Sequence, residues 1–261
     1  MNLVLLLLLL FQNTIGWRFT LPKKRVIVNR QKKIISINPG GIFGFYTVGY
    51  SSYILKNYNT YKYHFIGASS GSWNSLFCCY KYDHSKFFRR LMNQDFFVNI
   101  SSVDMLQKNV TNYITKNYKS CDFNLNKLSI CISILEDFKL KSLIISNFTN
   151  IDDAMKICRL SSHLPYLTSD VFIKKYNNNI VFDGGLTEFP PKNTSIYYEI
   201  TVDKMGNENI ESALCNIIKG NISKDIINNL YLEGYKDCEK NKKEIDKYFG
   251  DSDILFYLDY L

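Results

Sequence analysis

Twice within its first eighty residues the chain repeats one short pattern: an apolar β-type run, a tight glycine turn, then a helical run. The first copy is KKIISIN, closing at Pro39-Gly40-Gly41 and followed by GFYTVGYSSYILKNY from Gly44 to Tyr58. That run is expected to be a helix with Phe45, Val48 and Leu55 inward. The second copy is YHFIG, closing at Ala68-Ser69-Ser70-Gly71 and followed by SWNSLFCCYKY. Strands that feed helices through short turns build a buried sheet with helices on its faces, so the expected class is α/β.

The rest of the chain fits that class. Residues from about Asp83 to Lys119 read as helical, and LSICISIL and SLIISNF as two strands separated by EDFKLK. TNIDDAMKICRLSSH opens with a capping residue at Asn150 and reads as a helix running towards Pro165, which marks its end. NIVFDGG reads as another strand closing on a glycine turn, and the tail from Asn207 as helical with breaks at Gly220 and Gly234. No internal repeat or linker divides residues 34–261, which are expected to form one domain. At 46% hydrophobic and 21% charged residues the chain is globular in composition. Its seven cysteines lack zinc-type spacing and a dense disulfide pattern, so they read as buried thiols.

The N-terminus is different. Residues 1–16 contain the apolar run LVLLLLLLF, too short to span a bilayer, which needs about 20 apolar residues. It fits a signal-peptide core, but no basic residue precedes it and seven follow by Lys33. Membrane association through this segment is the expectation, with secretion after cleavage as the alternative. Residues 17–33 form a basic segment. The first acidic residue of the chain is Asp83, and ten Lys or Arg precede it, so the net charge of +8 comes from the first third. Such asymmetry suits an anionic partner, either nucleic acid or a phospholipid surface. No nucleic-acid motif accompanies it.

Gly67-Ala68-Ser69-Ser70-Gly71 is a G-x-S-x-G lying between a strand and a helix, where a nucleophile elbow sits. Gly67 and Gly71 allow the sharp turn that lifts the serine clear of the sheet. The following helix aims its N-terminal amides at the same point. Ser69 is thereby the candidate nucleophile, with the Ser70 amide a donor to the developing oxyanion.

A histidine triad in the order serine, acid, histidine is excluded by position. The three histidines are His64, His84 and His163, and none lies in the last 98 residues. An aspartate takes over if it reaches the serine directly. Asp183 ends the apolar run NIVF, with Gly184 and Gly185 turning behind it. By itself an Asp-Gly-Gly turn is a structural feature; beside Ser69 and without a histidine it becomes the candidate base, its pKa raised by partial burial. In Pro39-Gly40-Gly41-Ile42-Phe43-Gly44 the amides of Gly40 and Gly41 are the further oxyanion donors. Pro39 breaks the dinucleotide pattern, and no acidic residue stands some 20 positions on.

Taken in order, SINPGGIFGFYTVG, FIGASSGSW, RLSSHLPYLT, VFDGGLTEFPP and LYLEGYKDC resemble the patatin-like phospholipase family, particularly its adiponutrin-type branch. The likeness runs from about Ser36 to about Cys238. It implies a three-layer α/β/α domain with a central, mostly parallel sheet, and Ser69 and Asp183 as a catalytic dyad. It also implies hydrolysis of fatty-acyl esters of phospholipids or neutral glycerides at a membrane or lipid-droplet surface, without metal or cofactor. Three positions depart from the family pattern: Pro39 replaces its first glycine, Phe43 stands where many members have Arg, and Glu188 where Asn is common. An acyltransferase on the same dyad, or a non-catalytic membrane-binding scaffold, are the alternative functions.

Overall fold

The structure, a computed structural model, describes residues 33–97, 102–169, 171–192, 194–205 and 223–250. Segment 1–16 lies outside these residues, as does the basic segment apart from Lys33, which opens the first strand. The expected Gly220 break also lies outside them.

The protein is mixed α/β, with helices packed on a central, mostly parallel seven-stranded sheet, an arrangement compatible with three α/β/α layers. Strands β1 (Lys33–Ile37), β2 (Tyr63–Ala68), β3 (Leu128–Glu136) and β7 (Ile196–Ile200) run parallel in the order β7-β1-β2-β3. The hairpin strand β4 (Lys139–Ser146) pairs antiparallel along β3. The β5–β6 hairpin (Lys174–Tyr176, Asn179–Phe182) joins the C-terminal half of β3, also antiparallel. The strands β1 to β3 are nearly continuous runs of buried residues, as parallel strands covered on both faces must be.

The two strand–turn–helix units fold as their sequence pattern expects. Helix α1 is Gly44–Asn57 and α2 is Ser70–Cys78. Next come α3 (His84–Met92), α4 (Val103–Asn117) and α5 (Ile151–Ser161), then α6 (Lys224–Lys240) and α7 (Lys242–Phe249). The Asn150 side chain caps α5 by accepting from the Asp153 N–H at 2.8 Å. That helix ends at Ser161, earlier than Pro165 would require, because Thr168 folds back to take the Leu164 N–H.

One expectation is extended and one corrected. Phe45, Val48 and Leu55 are partly buried and pack against the core as expected, but the most deeply buried large side chains of α1 are Tyr46, Tyr50, Tyr53 and Ile54. The helix is covered on this second side as well because α6 packs along it. Gly234 does not break α6; it lies within it. A Cβ on Gly234 would stand 1.9 Å from the Tyr46 carbonyl, and one on Gly49 would stand 1.9 Å from the Tyr231 carbonyl. The two glycines bring the helix backbones into contact, and tertiary packing overrides glycine's weak helix propensity. The tyrosines buried by this crossing are satisfied: Tyr46 donates to Asp237 at 3.3 Å, and the Tyr50 and Tyr198 hydroxyls pair at 2.9 Å.

Among the described cysteines Cys78, Cys79, Cys131, Cys158 and Cys238 are free and buried, and Cys121 is free and exposed.

Candidate active site

Ser69 stands between β2 and α2 with φ 53° and ψ −128°, a conformation that L-residues rarely adopt. Such strain persists only where the surroundings impose it, and here the glycines on either side do so. A Cβ on Gly67 would meet the Gly71 carbonyl at 2.1 Å, and one on Gly71 would meet the Ile37 carbonyl at 2.0 Å. A side chain at Gly67 would force the elbow open, and one at Gly71 would push it off the end of β1. The elbow is also held by hydrogen bonds. The Ser69 N–H donates to Ser161 Oγ at 2.8 Å, and Ser161 Oγ donates to the Cys131 carbonyl of β3 at 2.7 Å. The Ser72 hydroxyl donates to the Ser69 carbonyl at 2.6 Å.

Asp183 follows β6, and its backbone is fixed on both sides. Its N–H donates to the His163 carbonyl at 2.7 Å, and its own carbonyl accepts from Ser133 Oγ at 2.8 Å. Gly184 and Gly185 carry the chain behind it, directly against the Cys131 carbonyl and the Pro39 ring. The two side chains meet: Ser69 Oγ donates to Asp183 Oδ2 at 2.7 Å. The other oxygen, Oδ1, accepts the Gly185 N–H at 2.8 Å, which fixes the carboxylate plane. Burial raises the Asp183 pKa to about 6 against the opposing pull of the Ser69 and Gly185 hydrogen bonds. A carboxylate of that basicity, already bonded to a hydroxyl, is a usable general base near neutral pH.

The histidines serve elsewhere. His64 Nε2 pairs with Ser129 Oγ at 2.7 Å. Burial pushes the His84 pKa down to about 4. The His163 ring lies on Phe182 and reaches the Phe172 carbonyl at 3.3 Å, while its backbone holds Asp183.

The glycine-rich loop adjoins the nucleophile, with a difference from the sequence expectation. The Gly40 N–H, expected to point at an oxyanion, donates instead to Ser70 Oγ at 3.0 Å. It becomes an oxyanion donor only when the Ser70 hydroxyl turns away. Gly41 has φ +56°, and the first helical residue of α2 is Ser70. Among the described residues the Gly41 and Ser70 amides have no backbone acceptor, so these two are the ready donors. Gly44 lies against the Ser70 side chain, closing the loop onto the elbow.

Ser69, Ser70, Gly40 and Gly41 all form part of the wall of a cavity of about 430 Å³. The rest of the wall is almost wholly hydrocarbon: Phe43 and Phe45, Trp73 and Phe77 from α2, Phe88 and Leu91 from α3. Asn74, one of its few polar members, is turned to the Thr47 and Ser51 hydroxyls at 3.0 and 3.2 Å. The side chains of Phe45 and Val48, which pack against the core, also contribute to this cavity. Among the described residues no cluster of three or more His, Cys, Asp or Glu is arranged to hold a metal, and no helix is long and apolar enough to cross a membrane.

Sequence reasoning missed three supports of the site: Ser161, Ser133 and the His163 carbonyl. Ser161 lies in the serine-rich RLSSHLPYLT segment, but a serine at the end of a helix carries no local mark of bridging the elbow to β3. No protein-family model matches the chain, and no curated protein matches it either.

Proposed function

We propose that this protein is a serine lipid acyl hydrolase of the patatin-like kind, cleaving fatty-acyl esters of phospholipids or neutral glycerides. The observation that carries this reading is a hydrogen-bonded serine–aspartate pair whose serine stands in the wall of a hydrocarbon cavity. A small polar substrate would find few partners in that cavity; an acyl chain would find apolar contacts along its length. In the first step Asp183 takes the Ser69 proton as Oγ attacks the ester carbonyl. The negative charge on the carbonyl oxygen falls to the Gly41 and Ser70 amides. Asp183 then returns its proton to the departing alcohol, leaving an acyl-enzyme. Water, deprotonated by Asp183, releases the fatty acid and restores Ser69.

The cavity makes a quantitative test. Each methylene moved from water into hydrocarbon is worth about 0.8 kcal/mol, close to fourfold in kcat/KM at most. In a series of p-nitrophenyl esters, kcat/KM is therefore expected to climb from acetate through octanoate and then level off once the cavity is filled. Fatty-acid release from mixed phospholipid and triacylglycerol vesicles then names the natural ester class. A flat chain-length series, or no release from any lipid, would overturn the reading.

The raised Asp183 pKa predicts the pH profile. The carboxylate is the active form, so kcat/KM is expected to rise tenfold per unit below about pH 6 and to flatten above it. A profile still rising between pH 7 and 9 would point to a different base.

A further inference from the structure

Exposed large apolar side chains are concentrated in one place. Of those among the described residues, Tyr166, Leu167, Val171, Phe172 and Ile173 fall within the loop between α5 and β5, each about half exposed or more. Single exposed hydrophobics are ordinary, but five in one short loop are not.

The loop is built to hold them out. Pro165, Ser169 and His163 form its buried underside. Thr168 Oγ1 accepts the Leu164 N–H at 2.8 Å and donates back to the Ser162 carbonyl. The Tyr166 N–H donates across the loop to the Ser169 carbonyl at 3.0 Å, with Tyr166 itself at φ 61°. On the outer side the Tyr166 and Phe172 rings stack at 5.7 Å. The same loop reaches the site from two directions. Ser162 and Thr168 line the hydrocarbon cavity, and the His163 carbonyl holds the Asp183 N–H.

We infer that this loop, through Tyr166, Leu167, Val171, Phe172 and Ile173, is the surface by which the protein docks on a phospholipid bilayer. The inference rests on the reading of the dyad as lipid-directed and adds the place of contact. The exposed side chains suit the acyl boundary. Lys175, exposed just beyond them, suits the headgroup layer. Docked this way, the cavity wall at Ser162 and Thr168 lies in the same loop as the inserted side chains, which brings the bilayer to the cavity.

The test uses the full chain and vesicles of phosphatidylcholine and phosphatidylglycerol in equal parts. The variant carrying Leu167→Ser, Phe172→Ser and Ile173→Ser is expected to hydrolyse vesicle-borne ester about 10- to 100-fold more slowly, from lost insertion of three apolar side chains. Its turnover of dissolved p-nitrophenyl butyrate should be unchanged, which also reports an intact fold. Separately, Leu167→Trp in the Ser69→Ala background is expected to shift its emission to the blue on adding vesicles, with quenching by brominated lipid. Unchanged vesicle hydrolysis in the triple variant, or emission indifferent to vesicles, would overturn the docking assignment and leave the dyad untouched. Loss of both vesicle and butyrate turnover in the unaltered chain would sink the hydrolase reading, while the emission change would still decide the docking. A shift seen only with an added protein, and not with lipid, would make the loop a protein interface and overturn the inference.

Discussion

Ser69→Ala and Asp183→Asn, made singly, are each expected to lower ester turnover by about 10⁴-fold or more, and the double variant by little beyond the worse of the two. The non-additivity follows from geometry. In the proposed mechanism Ser69 Oγ, bonded to Asp183 Oδ2 at 2.7 Å, and its base act as one unit, so removing the second adds little to removing the first. Kinetics on p-nitrophenyl octanoate decide it; effects that multiply in the double variant would mean two independent roles. The two changes are expected to differ in stability. The Asp183 pKa of about 6 lies above its ordinary 3.8 because ionisation in the buried site is unfavourable. The neutral carboxyl's advantage is thus fully present below about pH 4 and is lost as pH rises through about 6. Above that, Asp183 is held charged at a cost on the order of 1–3 kcal/mol. Asn keeps the shape, can accept from the Gly185 N–H and carries no charge. At pH 8 Asp183→Asn is therefore expected to be inactive yet to melt a few degrees higher than the unaltered chain. A lower melting temperature would mean that the carboxylate is better satisfied than its burial suggests.

Gly234→Ala is expected to destabilise the fold by about 3 kcal/mol and to lower the melting temperature by about 5–10 °C. In an ordinary helix interior the same change stabilises by about 1 kcal/mol, because glycine is the poorer helix former. The sign reverses because the new Cβ would stand 1.9 Å from the Tyr46 carbonyl, a backbone atom that moves only if the whole of α1 moves. Thermal unfolding by circular dichroism settles the sign. A stabilised variant would show that the two helices do not cross where the structure puts them.

The local order of the chain was legible without tertiary information. An apolar run followed by glycines and then a helical pattern specifies strand, turn and helix, since each depends on neighbours a few residues away. For the same reason the G-x-S-x-G placed Ser69 at an elbow, and NIVFDGG placed Asp183 at a strand end. Their pairing was inferred by elimination of the histidines, and the 2.7 Å contact across 114 residues is a property of the sheet. Only the tertiary structure decided the rest. Helical spacing showed one inward face of α1, and the close approach of α6 buries a second, tyrosine-rich one. The Gly40 amide looked free in the sequence because nothing local reveals that Ser70, thirty residues on, takes it. Ser161 and Ser133 matter through partners that no spacing encodes. The hydrocarbon cavity draws its wall from α1 to α4 together, so no single segment could announce it. Short-range backbone chemistry is written in short-range sequence; side-chain partnerships between distant segments exist only once the sheet has brought those segments together.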